Sequence, residues 1–174
     1  LYINGHVTGN SPYLAFEWRA GKEGEFHQVH TRLIGEYNFP NALAAVTIGH
    51  FFGVEAEKID KALNEYEPRN NRSQLKKTAD NTLIIDAYNA NPTSMLAAIG
   101  NFRNMQAEKK MLILGDMREL GKDSAEEHQR IVDYLEEYGF EDVILVGELF
   151  AATRHTYTTY PDAPALIAAL QKNK

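Results

Sequence analysis

Three observations along the chain predict an α/β fold: an open, mainly parallel sheet with helices on both faces, preceded by an antiparallel hairpin and helices. Apolar and polar residues alternate from Leu1 to about Leu33, as in a half-buried hairpin. Spacings of three and four then take over between Gly35 and Tyr66, as in helices. After Glu67 short apolar runs recur, most of them followed by a turn and a helical pattern. Strands that alternate with helices in this way pair in parallel, because a crossover must carry the chain back before the next strand starts.

The elements follow in order. Tyr13 to Trp18 and Phe26 to His30 are the clearest alternating runs, with Gly21-Lys22-Glu23-Gly24 as the turn between them. Pro40 suits the first turn of a helix that carries Leu43, Val46, Thr47, His50 and Phe51, and Gly53 supplies its stop. A second helix places Ile59, Ala62, Leu63 and Tyr66 on one face. The polar stretch Glu67 to Ser73, broken by Pro68, is the best linker candidate. Thr82 to Asp86 is a short apolar run of the kind buried on both faces of a parallel sheet, and Pro92 opens a helix with Met95, Ile99, Phe102 and Met105. Met111 to Gly115 is the next strand. Its helix carries a capping-box pattern in Ser124 and Glu127, then Ile131, Val132, Leu135 and Tyr138 on its inner face. Asp142 to Gly147 is a further strand, and a weaker one at Thr156 to Tyr160 precedes a helix from about Asp162 through Leu166, Ile167 and Leu170.

Composition narrows the function classes. With 174 residues, 44% of them apolar, the chain is one domain, or one plus a piece of another, at ~100–200 residues per domain. A net charge of -6 from 24 acidic and 18 basic side chains argues against a nucleic-acid or anionic-lipid partner, which needs a cationic face. No cysteine is present, which excludes disulfides and thiolate metal sites and fits a reducing compartment. No apolar run approaches the ~20 residues of a membrane span. The opening Leu1-Tyr2-Ile3-Asn4-Gly5 carries neither an initiator Met nor a signal peptide, so a cut chain is expected.

Open α/β sheets bind ligands beyond the carboxyl ends of their strands. The turn Asp86-Ala87-Tyr88-Asn89-Ala90-Asn91-Pro92-Thr93-Ser94 there combines an acid, a phenol, two amides and two hydroxyls. A carboxylate accepts two hydrogen bonds and so can take both hydroxyls of a ribose; equally, Asp86 can brace the turn and Asn91 cap the helix. No glycine-rich phosphate loop is present, so the sheet is Rossmann-like without being a dinucleotide site. Asn38 and Asn41, three apart at a helix start, match the donor and acceptor on one edge of adenine or serve as caps. Arg72 is a candidate phosphate clamp or a surface residue. His27 and His30 fall on opposite faces of a strand, which rules against a shared metal. His128 is expected as solvated first-turn charge, Phe51 and Phe52 as core, and Asp116 and Glu119 as either substrate-directed groups or ordinary loop residues.

In this order the motifs are specific. Gly35-x-Tyr-Asn38-x-x-Asn41-Ala-Leu-Ala-Ala, Pro68-x-Asn-Asn-Arg72-Ser-Gln, Asp86-Ala-Tyr-Asn-Ala-Asn-Pro-x-Ser-Met95 and Leu114-Gly-Asp-Met-x-Glu-Leu-Gly121, with Glu127-His128 after them, resemble the Mur ligases over nearly the whole chain. The likeness is greatest to the branch that joins D-alanyl-D-alanine to UDP-N-acetylmuramoyl-tripeptide in peptidoglycan precursor synthesis. It implies that residues 1–66 are the C-terminal part of a central ATPase domain and residues 67–174 a C-terminal Rossmann-like domain lacking its final segment. It implies ATP-driven amide formation through an acyl phosphate, with Asn38 and Asn41 on adenine, Asp86 on ribose, and Arg72 as the catalytic linker arginine near the γ-phosphate. Tyr88, Asn89 and Asn91 would meet substrate. The phosphate loop and the ligands of Mg2+ would lie outside the chain, which alone is expected to be inactive. A cytoplasmic, monomeric enzyme is expected. A sister ligase, such as the diaminopimelate-adding member or folylpolyglutamate synthase, is the alternative enzyme, and a non-catalytic α/β binding module the alternative class.

Overall fold

Strands β1 (Ile3–Asn10), β2 (Tyr13–Ala20) and β3 (His27–Ile34) form an antiparallel sheet in that order. The computed structural model describes residues 2–10, 12–69 and 71–172. Leu1, which opens the predicted alternating run, and Asn70, in the predicted linker, lie outside the described residues. By compactness the chain divides into two units, Leu1–Tyr88 with Asn101–Met105, and Asn89–Gly100 with Gln106–Lys174.

In the first unit the pleat of β2 sends Leu14, Phe16 and Trp18 to one face, where they are buried with Val29 of β3. Register sets Phe16 opposite Val7 on one side and Val29 on the other. Helices α1 (Phe39–Phe51) and α2 (Ala56–Glu65) add Ala42, Val46 and Ile59 to this core. Pro40 lies in the first turn of α1 as predicted. Gly53, at φ +76°, ends the helix, with its N–H on the His50 carbonyl at 3.0 Å and that of Val54 on Gly49 at 3.0 Å. Polar bonds tie α2 to the sheet: the Trp18 indole N–H donates to Asp60 Oδ1 at 2.7 Å, and His27 Nδ1 lies 2.9 Å from Asp60 Oδ2.

Two expectations fail here. Phe51 and Phe52 are exposed, at 68% and 76%, rather than core. Val46 faces inward, and a step of roughly 100° per residue turns positions five and six further on away from it. On α2 only Ile59 is fully buried; Ala62 is exposed, and Tyr66 lies past the helix end in extended backbone.

The apolar run near Thr82 does form a strand, β5 (Thr82–Ile85), but it pairs antiparallel with β4 (Gln74–Lys77) in a separate two-stranded sheet. The expected parallel pairing, buried on both faces, is not what forms. Thr78 closes the connecting turn, its Oγ1 accepting the Asn81 N–H at 3.0 Å, and so short a loop can return only an antiparallel strand. Thr82 and Leu83 are accordingly exposed.

The second unit holds the parallel sheet, in the order β6 (Leu112–Gly115), β7 (Val143–Val146), β8 (Thr158–Tyr160). Helices α3 (Pro92–Asn104), α4 (Ser124–Glu137), α5 (Glu148–Ala151) and α6 (Ala163–Lys172) follow the predicted alternation, except that α5 was not anticipated. Ile99, Met117, Ile131, Val132, Leu135, Val143, Leu145 and Phe150 make its core. This is the predicted α/β class: a parallel sheet flanked by helices, with an antiparallel hairpin ahead of it. The capping box does not form, because a 3-10 turn over Gly121–Asp123 extends the helix backwards and leaves Ser124 already helical. Among the described residues no helix is long and apolar enough to cross a membrane.

Candidate functional site

Five of the predicted site residues, Asn38, Asn41, Arg72, Asp86 and Tyr88, fall in the first unit, at or just beyond the ends of elements. After β3 the backbone turns at Gly35, φ +91°, into a 3-10 turn of Glu36–Asn38 and then α1. The Asn38 amide donates to the Ile34 carbonyl at 2.8 Å and reaches Ser73 Oγ at 3.4 Å. Asn41 lies exposed in the first turn of α1. Arg72 is exposed, and its guanidinium carbon stands 3.8 Å from the centre of the Tyr88 ring, a cation–π contact. Asp86, just past β5, is exposed and accepts from the Tyr37 hydroxyl at 3.4 Å.

Tyr37 and Ser73, to which sequence reading assigned no role, join these groups. Their hydroxyl oxygens are 2.6 Å apart across 36 positions of sequence. Each has a neighbour in the motifs, Asn38 and Arg72, but no local spacing predicts that they meet. Burial lifts the Tyr37 phenol above its ordinary value of 10.0; the bond to Ser73 works the other way, and the Asp86 carboxylate adds to the rise. The hydroxyl is therefore neutral, able to donate and to accept. Among the described residues no group of three or more His, Asp or Glu side chains is placed to hold a metal ion.

The model of the family described as "Mur ligase, glutamate ligase domain" matches residues 71–173. The chain belongs to the Mur ligase family. A UDP-N-acetylmuramoyl-tripeptide--D-alanyl-D-alanine ligase of Rickettsia prowazekii is 31% identical over 170 residues, covering 93% of this chain and 37% of that protein. The Bacillus subtilis protein of the same name is 45% identical over 91 residues, 51% of this chain and 20% of the relative. Among solved structures, MurF from Acinetobacter baumannii superposes with a TM-score of 0.77 at 30% identity, over 97% of this chain and 38% of that one. The chain thus spans well under half the length of the Mur ligases it matches.

The remaining Mur-type motifs lie in the second unit, where several take structural roles. Asn91 caps α3: its Oδ1 accepts the Ser94 N–H at 2.9 Å. Asn89 is exposed. Asp116 accepts from the N–H groups of Leu149 at 3.1 Å and Phe150 at 3.0 Å, anchoring the start of α5. His128 is not solvated charge but fully buried. Its Nδ1 sits 2.6 Å from the Ser124 carbonyl, which can only accept, so Nδ1 carries the proton. Nε2 is then free to accept the Met117 backbone N–H at 3.0 Å. The helical start at Ser124 aims that carbonyl at His128 one turn on, and the ring in turn pins the Gly-Asp-Met loop.

Proposed function

We propose that this chain is the C-terminal portion of an ATP-dependent ligase that adds D-alanyl-D-alanine to UDP-N-acetylmuramoyl-tripeptide in the cytoplasm. Residues 1–66 are read as the end of its central ATPase domain and residues 67–174 as most of its C-terminal domain. The observation that carries the reading is the likeness to tripeptide--D-alanyl-D-alanine ligases across almost the whole chain. ATP supplies the phosphoryl group that activates the substrate carboxylate toward the incoming amine.

The donor set fits that nucleotide. Asn41 would read adenine through both ends of its amide, whereas Asn38, whose two N–H groups go to Ile34 and Ser73, would accept the adenine amino group on its Oδ1 alone. Asp86, with open acceptor positions, would take the ribose hydroxyls. Arg72, permanently charged, would stabilise negative charge near the γ-phosphate, where phosphoryl transfer depends on positioned cations. Tyr88, Asn89 and Asn91 would meet substrate. Mg2+ would be held by residues outside this chain. In the intact enzyme, Asp86→Ala and Asn41→Ala are expected to weaken nucleotide binding about tenfold or more, as the loss of a hydrogen bond to a charged or buried partner does. Unchanged affinity in both, measured by calorimetry, removes the site assignment. Ligation of D-alanyl-D-alanine in preference to single amino acids separates this reading from a sister ligase.

A further inference from the structure

The backbone on either side of Arg72 is unusual. Asn71 and Ser73 are the two non-glycine residues with left-handed backbone among the described residues, at φ 56° and 49°. Asparagine tolerates that region; serine adopts it far less readily, because its Cβ crowds the neighbouring carbonyl. Something must hold this segment, and bonds are present on both sides. The Asn71 carbonyl accepts the N–H of Ala87, next to Asp86, at 2.7 Å. Ser73 is buried, with Tyr37 Oη at 2.6 Å and the Asn38 amide at 3.4 Å. The Tyr37 ring is itself seated against Gly35, where any Cβ would overlap it.

We propose that Tyr37 and Ser73 are positioning residues for the nucleotide: their paired hydroxyls clamp the Asn71–Ser73 segment, aim Arg72, and orient the Asp86 carboxylate. One donor assignment satisfies every member. The Asn38 N–H donates to Ser73 Oγ, the Ser73 O–H to Tyr37 Oη, and the Tyr37 O–H to Asp86 Oδ2, so each proton is used once and the chain ends on the only anion. Asp86 is thereby held by one oxygen while the other stays open to a ribose. The pair thus connects the start of α1, the residue after β5 and the arginine between them. The clamp rests on the nucleotide reading of Arg72 and Asp86.

Two substitutions separate positioning from plain structural support in the full-length enzyme. Tyr37→Phe keeps the ring on Gly35 and removes only the hydroxyl. Ser73→Gly removes the other hydroxyl and also relieves the left-handed strain, since glycine adopts positive φ freely. Both are expected to lower kcat/KM for ATP by about tenfold to a hundredfold, the scale of a misplaced group in a positioned site. The double variant should fall no further than either single one, as for two ends of one bond. Without nucleotide, amide exchange of the peptide carrying Ala87 should quicken in both variants, while Ser73→Gly melts no lower than the parent. Native kcat/KM and native exchange in Tyr37→Phe overturn the clamp, whether or not Ser73→Gly folds. Arg72→Ala and Asp86→Ala, run alongside, tell the two failures apart: if they lower kcat/KM while Tyr37→Phe does not, only the clamp is wrong. If they leave it unchanged, the nucleotide reading falls and the clamp with it.

Discussion

Tyr37 and His128 take roles that their neighbours in the fold decide, not their neighbours in sequence. His128 spends both ring nitrogens on backbone groups of its own unit, at 2.6 and 3.0 Å, and has no exposed surface. It holds the loop after β6 in place. Tyr37 instead couples to an exposed acid, and its raised phenol pKa makes a prediction with a definite sign. The neutral phenol is favoured by folding, so the stability it contributes is whole below the ordinary value of 10.0 and is lost as pH climbs through the raised folded value. Tyr157 shifts in the same direction, through burial and then the Glu136 carboxylate. Comparison with Tyr37→Phe isolates the first. Urea midpoints taken from about pH 8 to about pH 11 should show the parent losing stability relative to Tyr37→Phe only at the alkaline end. A constant gap across that range would show that Tyr37 is not perturbed.

Turns and caps decide what each element can do. Loop length made β5 antiparallel, although its Leu-Ile-Ile run is the composition of a buried parallel strand. The apolar run was legible; its partner was not, since pairing depends on where the chain turns back and what lies beside it. Asn91 is the converse case, where local chemistry was legible and correct as a cap. The cap also permits a clean test of the substrate role proposed for it. Asn91→Ala should cost about 1 kcal/mol of stability in chemical denaturation, while Asn91→Ser, which retains the capping oxygen, should cost little. If Asn91 also meets substrate, both variants lose activity. If it is only a cap, Asn91→Ser works as the parent does.

At the scale of the molecule, 174 residues span 38% of the Acinetobacter MurF chain, and they include no lysine-bearing phosphate loop. The purified chain is therefore expected to release no phosphate from ATP above a buffer control, with or without added magnesium; measurable turnover would overturn that expectation. Ile48 and Phe51 stay exposed on α1, whose apolar residues run around its whole circumference, and Phe52 is exposed just past its end. By itself the sequence determined most of the strands and helices, though not β4 or α5, where α1 begins and ends, and the ordered motifs that resemble a Mur ligase. Each of these is set by residues within a turn or two of one another: a two- or 3.6-residue period, a proline in a first turn, a glycine at a stop. Only the tertiary structure decided that β5 pairs with β4, that His128 is buried, that two phenylalanines are not, and that Tyr37 meets Ser73 across 36 positions. Those outcomes depend on long-range packing, in which burial and hydrogen-bond satisfaction are shared among residues that no local pattern connects.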